Sequence, residues 1–462
     1  MKKFIALLLA MSMVIVLAAC GGGSAAPATT AAPETAAPET AAPETAAPES
    51  TAAPETAAPE TTAAPETTEA KQAAEPKGTV KIGHLLDITG VESITGAVAQ
   101  KAFNFAAKQI EFETGWSFEI VEGDCQSDSD KAANAAESMI SQGCKALFGP
   151  TQIGHKKSVL TVVSNNPVPV TLYNGTPNAF TSGMAVGGNN DMIVAMGGGT
   201  SGFPTVMADY IFNDLGVKKV YCFKQDTVGG NNYVDPFVTC FTAMGGEVID
   251  NIPVAQGTND WSQYLAAMMS SDAEAIVGWT SSSDAIAFFK EWFNSGASDK
   301  LPVYATMHGG FADSYVMDEL DPQIVDALIA KGLCAPINYA YSIDTPENNA
   351  FVAEWKAEFN EVPLGNNLPG SCYQALKNFA EALDAVGPDV DAMTLAEAMR
   401  ATDFVGPEGH TSFEEGSRVA NKDVYVVNVT KLDDGSINYE VQKDYPEITM
   451  NGYNYDVENY IG

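Results

Sequence analysis

Glycines supply the strongest hint of reaction chemistry in this chain. Gly197, Gly199 and Gly202 fit G-x-G-x-x-G ahead of a predicted helix, and Asp226 lies just past the next predicted strand, where a dinucleotide-binding turn places its ribose acid. The third glycine, however, meets Phe203-Pro204 at the helix start, so the glycine-rich stretch 187–202 reads as a hinge between two halves of the chain. Other reactive combinations are missing from the sequence. His84, His155, His308 and His410 form no HExxH, and neither a GxSxG elbow nor a GxxxxGK(S/T) phosphate loop occurs. Asp124, Asp128 and Asp130 lack the glycine and the distal glutamate of a calcium loop. Asp128 or Ser129 reads instead as a helix cap. No catalytic residue, metal or cofactor is assigned, and the chain reads as a binder rather than an enzyme.

Binding residues take their positions from the elements around them. Residues 80–86 read as a strand, 96–113 as a helix and 117–122 as a second strand; helix 129–142 leads to strand 146–148, and helix 156–164 to strand 168–172. Beyond the hinge the rhythm resumes. Helix 205–215 leads to strand 218–223, helix 232–243 to strand 247–252, helix 261–269 to strand 275–278, and helix 283–294 to strand 303–306. Strands alternating with helices of this length indicate βαβ units and parallel sheets covered on both faces. The stretch 78–462 is too long for one small core and suits two lobes.

The first 77 residues are of another kind. Lys2 and Lys3, an apolar run over 4–17 and Ala18-Ala19 before Cys20 make a secretory signal, because the run is shorter than the roughly 20 residues a bilayer needs. The segment resembles a bacterial lipoprotein signal, so 1–19 is expected to be removed and Cys20 to carry a lipid anchor. Residues 20–77 then form a linker in which Ala-Ala-Pro-Glu-Thr repeats almost without variation. Frequent proline, absent large apolar side chains and mutually repelling glutamates predict a disordered spacer. The chain carries 59 acidic against 24 basic residues, a formal charge of −35. Nucleic acid and anionic membrane surfaces are disfavoured partners, since phosphate recognition starts from a basic patch. Cys125, Cys144, Cys222, Cys240, Cys334 and Cys372 remain as free thiols or disulfides. Helix 129–142 holds Cys125 and Cys144 about 20 Å apart, which excludes that pairing.

A family resemblance rests on several short motifs in order. These are Asp87-Ile88-Thr89-Gly90 after the first strand, Phe148-Gly149-Pro150, Asp260-Trp261-Ser262 before a helix, and Phe404-x-Gly406-x-x-Gly409-x-x-x-Phe413 followed by the apolar run 424–429. Over the whole region after the linker the chain resembles the branched-chain amino-acid (Leu/Ile/Val) binding proteins, extracytoplasmic solute receptors of ABC transporters. The resemblance implies a type I periplasmic binding protein fold, with two doubly wound, Rossmann-like α/β lobes joined by three crossings. Lobe one would comprise 78–197 plus 338–415, and lobe two 198–337 plus 416–462. It also implies a small polar ligand, an amino acid or relative, held in the interlobe cleft outside the carboxyl ends of the strands, where loops and helix N-termini offer N–H groups. The residues following each strand are then the candidates: Thr89, Thr151, Gln152, Ile153, Tyr173, Asn174, Gly175 and Thr176 in lobe one, and Asp226, Thr227, Trp279, Thr280, Ser281, His308, Gly309 and Phe311 in lobe two. Trp279 and Tyr173 are expected to form ligand walls.

The chain departs from the family pattern at three places. Where these receptors place a serine for the ligand carboxylate, four residues after the glycine of Gly149-Pro150, this chain has Ile153; Thr151 is the substitute. The acid that receives the ligand's ammonium is replaced by His308 or Gly309, and Val228-Gly229-Gly230 stands where an aromatic-glycine pair is usual. An unpaired buried ammonium costs several kcal/mol, so an amino acid would need another partner, such as Asp226. An aromatic acid, a small amide or a short peptide fits Trp279, Tyr173 and His308 at least as well. The implied partners are ABC permease subunits and the membrane through Cys20. A lipid-anchored monomer on the outer face of a bacterial cytoplasmic membrane, Gram-positive by its spacer, is expected. A ligand-sensing receptor domain is the alternative use of the same fold.

Overall fold

A computed structural model of the protein describes residues 72–90, 93–174, 190–197, 202–364 and 367–449. The expected signal, Cys20 anchor and most of the spacer lie outside these residues, as do Gly175, Thr176 and Gly199.

β1 (Gly78–Leu86), α1 (Ser93–Thr114), β2 (Trp116–Asp124), α2 (Ser129–Ser141), β3 (Leu147–Phe148), α3 (Ile153–Asn165), β4 (Val170–Leu172) and β5 (Ile193–Ala195) build a parallel sheet in the order β2-β1-β3-β4-β5. Alternation along β1 covers both faces. Ile82 and His84 pack toward α1, where the His84 ring stacks on Phe103 at 3.9 Å, while Gly83 and Leu85 meet Met139 of α2 and Leu147.

The second sheet repeats the plan. α4 (Gly202–Asp209) runs on as a π-helical turn (Tyr210–Asp214), followed by β6 (Lys219–Gln225), α5 (Val228–Ala243), β7 (Glu247–Val254), α6 (Ser262–Ser270), β8 (Ala275–Trp279), α7 (Ser282–Asn294), α8 (Ala297–Lys300) and β9 (Val303–Ala305). Its parallel order is β7-β6-β8-β9. Phe223 of β6 packs among Trp261, Phe288 and Phe311 on one face, and Cys222 among Phe237 and Phe241 of α5 on the other. The two expected lobes are thus two parallel sheets, each with helices on both faces.

The remaining chain was not resolved into elements by its sequence pattern. α9 (Ser314–Asp318), α10 (Pro322–Ala330) and β10 (Cys334–Ile337) precede α11 (Pro346–Phe359), α12 (Leu368–Val386) and α13 (Ala392–Met399); β11 (Phe404–Gly406), β12 (Gly409–Phe413), β13 (Ala420–Lys431) and β14 (Ile437–Ile448) follow. These four strands and β10 form an antiparallel sheet, β10-β13-β12-β11 with β14 on β13. α12 returns to the first sheet, with Phe379 edge-on to Phe148 and Asp384 accepting from Trp116 Nε1 at 2.7 Å. β14 returns to the second: Tyr439 donates to the Ala312 carbonyl at 3.0 Å, and Tyr445 to Asp209 of α4 at 2.6 Å.

The expected hinge at 187–202 proves to contain β5, which completes the first sheet. Ala195 also bridges to Val419, its N–H donating to the Arg418 carbonyl at 2.7 Å. Next to it lies a buried polar knot. Lys422 of β13 pairs with Glu408, between β11 and β12, and donates to the Met196 carbonyl at 3.2 Å, while Ser371 of α12 donates to Glu408 at 2.5 Å. The six cysteines of the described region are buried free thiols.

Candidate functional site

Parallel pairing brings the carboxyl ends of each sheet's strands to one edge, so the segments after β1, β3 and β4 share one edge and those after β6, β8 and β9 another. At the first edge, carboxylates organise the loops. Asp124 accepts from the N–H groups of Ile88, Thr89 and Gln126 and from the Thr89 hydroxyl at 2.7 Å. Partial burial alone would raise its pKa, but these donors outweigh it and hold the carboxyl below the usual range. Thr89 is therefore exposed but committed to Asp124. Asp87, fully buried, accepts from Ser127 N–H at 2.6 Å and from the Thr151 hydroxyl at 3.2 Å, with His155 3.7 Å away.

Thr151 and Asn174 come together. The Asn174 amide donates to the Thr151 carbonyl at 2.9 Å, joining the exits of β3 and β4. Below them Lys156 of α3, fully buried, donates to the Asn174 carbonyl. Gln152 is the N-cap residue of α3, its side chain making no cap bond, and Ile153 opens the helix. Tyr173 departs from expectation: its ring is fully buried and its hydroxyl lies 2.7 Å from His84 Nε2. Strand alternation points it into the core, where burial raises its own pKa and lowers that of His84 to about 3.

At the second edge the partly exposed Trp279 is the organising residue. Its indole N–H donates to the Gly309 carbonyl at 2.7 Å, Tyr233 of α5 packs against it edge-on at 4.8 Å, and Gly229 and Gly310 flank it. A Cβ at either glycine would lie 3.6 or 3.5 Å from the ring, so the indole rests against backbone. Thr227 caps α5 by accepting from Gly230 N–H at 3.1 Å, and Asp226 beside it is exposed. Gly230 is required for another reason: a Cβ there would run into the Gln225 carbonyl. Gln225 donates to Ser281 at 2.8 Å and to Asp284 at 2.9 Å, and Asp284 also accepts from Gly257 N–H at 2.8 Å. Thr280 is buried.

His308 and Phe311, expected at the second edge, are buried. His308 is buried, with Nδ1 2.8 Å from Asp313 and its ring edge-on to Tyr439, and Phe311 belongs to the Phe223, Phe288 and Phe289 cluster. Both are core residues because the 308–313 segment folds back on itself, with Phe311 and Ala312 N–H donating to the His308 carbonyl. Sequence reasoning missed Lys156, the Asp87 and Asp124 anchors and the Gln225–Asp284 pair. Only their places next to strand ends could have signalled them. Among the described residues no cluster of His, Cys, Asp or Glu is arranged to hold a metal, and no helix is long and apolar enough to cross a membrane.

Comparison with known proteins bears on the family and the fold. Residues 79–436 match the periplasmic binding protein family. The Leu/Ile/Val-binding protein homolog 6 of Brucella suis biovar 1 (strain 1330) is 27% identical over 314 residues, covering 67% of this chain and 76% of the relative. An ABC transporter substrate-binding protein from Sphaerobacter thermophilus superposes with a TM-score of 0.70 at 23% identity, over 80% of this chain and 98% of that one. A solute-binding protein of an ABC transporter from Rhodopseudomonas palustris BisB5, solved with 3,4-dihydroxybenzoic acid, gives 0.67 at 21% identity over the same shares. The chain belongs to the periplasmic binding protein family and has its two-lobed type I fold.

Proposed function

We propose that this protein is the lipid-anchored receptor of an ABC importer, capturing a small carboxylate-bearing solute between its lobes and delivering it to the permease. The observation that carries the reading is the pair of strand-exit edges, one lined by Thr151 and Asn174, the other by the partly exposed Trp279. Open parallel sheets bind ligands outside the carboxyl ends of their strands, and two such edges joined by a hinge can close on a solute and exclude water. The lobes are 78–197 plus 338–415 and 198–337 plus 416–462. Cys20 carries the lipid and residues 21–77 are the tether; the receptor works as a monomer outside the cytoplasmic membrane, by its spacer that of a Gram-positive cell. The relatives named above point to two solute classes, branched-chain amino acids and aromatic acids.

A thermal-shift panel of amino acids and aromatic acids tests this. A ligand at 100 times its Kd stabilises by about 2.7 kcal/mol. A saturable shift with one class supports the reading, and folded protein that answers to no member of the panel contradicts it.

A further inference from the structure

Away from the solute edges, one cavity gathers two side chains that occur nowhere else in the chain. Of the 24 basic residues only two are arginines, and both, Arg400 and Arg418, line the same cavity of about 730 Å³. Arg400 caps the end of α13, and Arg418 lies in the loop between β12 and β13. They converge on Asp191. Arg400 donates to the Asp191 carbonyl and, at 3.2 Å, to that of Ile193, and Arg418 donates to the Asp191 carboxylate at 2.7 Å. Asp191 precedes β5, so the cavity sits at the amino end of that strand, opposite the strand exits of the parallel sheet. Beside it the Arg418 carbonyl accepts from Ala195 N–H, where the chain leaves the first sheet for the second.

The two guanidiniums are incompletely paired. Among the described residues, Asp191 is the one carboxylate hydrogen-bonded to either of them. Arg418 is 16% exposed, and its Nε is buried with no hydrogen-bond partner. Burial and the nearby Arg418 charge push the pKa of Arg400 below its ordinary value, against the opposing charges of Asp191 and Glu397. The other acids lining the cavity, Glu397, Glu414 and Glu415, are exposed at its rim, where water and salt screen them. Guanidinium forks match the oxygens of phosphate and carboxylate groups. Against three glutamates a singly charged acid gains little there, whereas a dianion between two guanidiniums offsets both charges. We infer that this cavity is a second binding site, separate from the solute edges and selective for a compact dianion of the phosphate type. Its occupant ties α13 to the β12–β13 loop beside the junction at Ala195.

Titration calorimetry on the full-length protein with inorganic phosphate and with acetate, at one pH and fixed ionic strength, tests this. Phosphate is expected to bind at one molecule per chain and about tenfold or more tighter than acetate, and Arg418→Gln should weaken it by about tenfold through loss of a charge-assisted contact. Glu415→Gln, which removes a rim charge, should strengthen phosphate binding about twofold. Absence of saturable phosphate binding, acetate binding as tight as phosphate, or an unchanged phosphate affinity in Arg418→Gln overturns the inference. Should that variant not fold, a phosphate affinity that stays the same in Glu415→Gln overturns it equally.

Discussion

The buried Lys422–Glu408 pair should be the most sensitive point of the junction beside β5. Both side chains are essentially inaccessible, 1% and 0% exposed, and they join residues from β13, the β11–β12 turn, α12 and the segment after β5. Lys422→Met strands the Glu408 carboxylate with only the Ser371 hydroxyl, and removing one member of a buried pair costs about 3–5 kcal/mol. That is a large share of a typical total of about 5–15 kcal/mol. With an unfolding entropy of about 0.8 kcal/mol/K for roughly 380 residues, the melting temperature should fall by about 4–6 °C. Replacing both partners, as Lys422→Met with Glu408→Leu, leaves no stranded charge and should recover about 2–3 kcal/mol as coupling energy. Urea denaturation of the two single variants and the double variant reads these values. Single substitutions costing less than about 1 kcal/mol, or a double variant that loses the full sum, would refute the reasoning.

Other perturbations follow from the site's geometry. Gly230→Ala should lower the melting temperature by several degrees, because its Cβ meets the Gln225 carbonyl, whereas Gly229→Ala adds an ordinary contact to Trp279 and should be tolerated; thermal melts of both variants compare them. Trp279→Ala should weaken solute binding by about 10- to 100-fold, as loss of an aromatic anchor does, with little change in melting temperature, both read by calorimetry. His410 is partly buried, which lowers its pKa, but the hydrogen bond it donates to Asp403 and the charges of Asp403 and Glu447 outweigh this and raise it. Its stabilising effect is therefore complete below about pH 6.5 and lost as pH rises through the folded-state value. A pH series of melts should show that decline in the wild type and its absence in His410→Gln.

The βα rhythm was legible because strands buried on both faces and amphipathic helices leave strong periodic signals, and the observed elements begin and end within a few residues of those expected up to β9. β5 escaped because three apolar residues inside a glycine-rich stretch carry no period, and the antiparallel sheet because β11 and β12 are too short to show alternation and β10 takes its partner, β13, from about ninety residues further along the chain. At the site, position after a strand put Thr151, Asn174 and Trp279 at strand exits that reach the sheet edges. Tyr173, His308 and Phe311, expected at the same edges, are buried, since the direction of a side chain at a strand's mouth depends on twist and loop path. Lys156 opens the helix expected over 156–164, where a lysine signals solvent until the fold buries it together with His155.

The central claim is that one small acid is held between the two strand-exit edges. Native mass spectrometry of the full-length protein with a saturating mixture of aromatic acids and branched-chain amino acids tests it most directly. The account predicts a single acid bound at one molecule per chain, and its loss in Trp279→Ala. No bound solute, two independent molecules per chain, or full retention in that variant would contradict it.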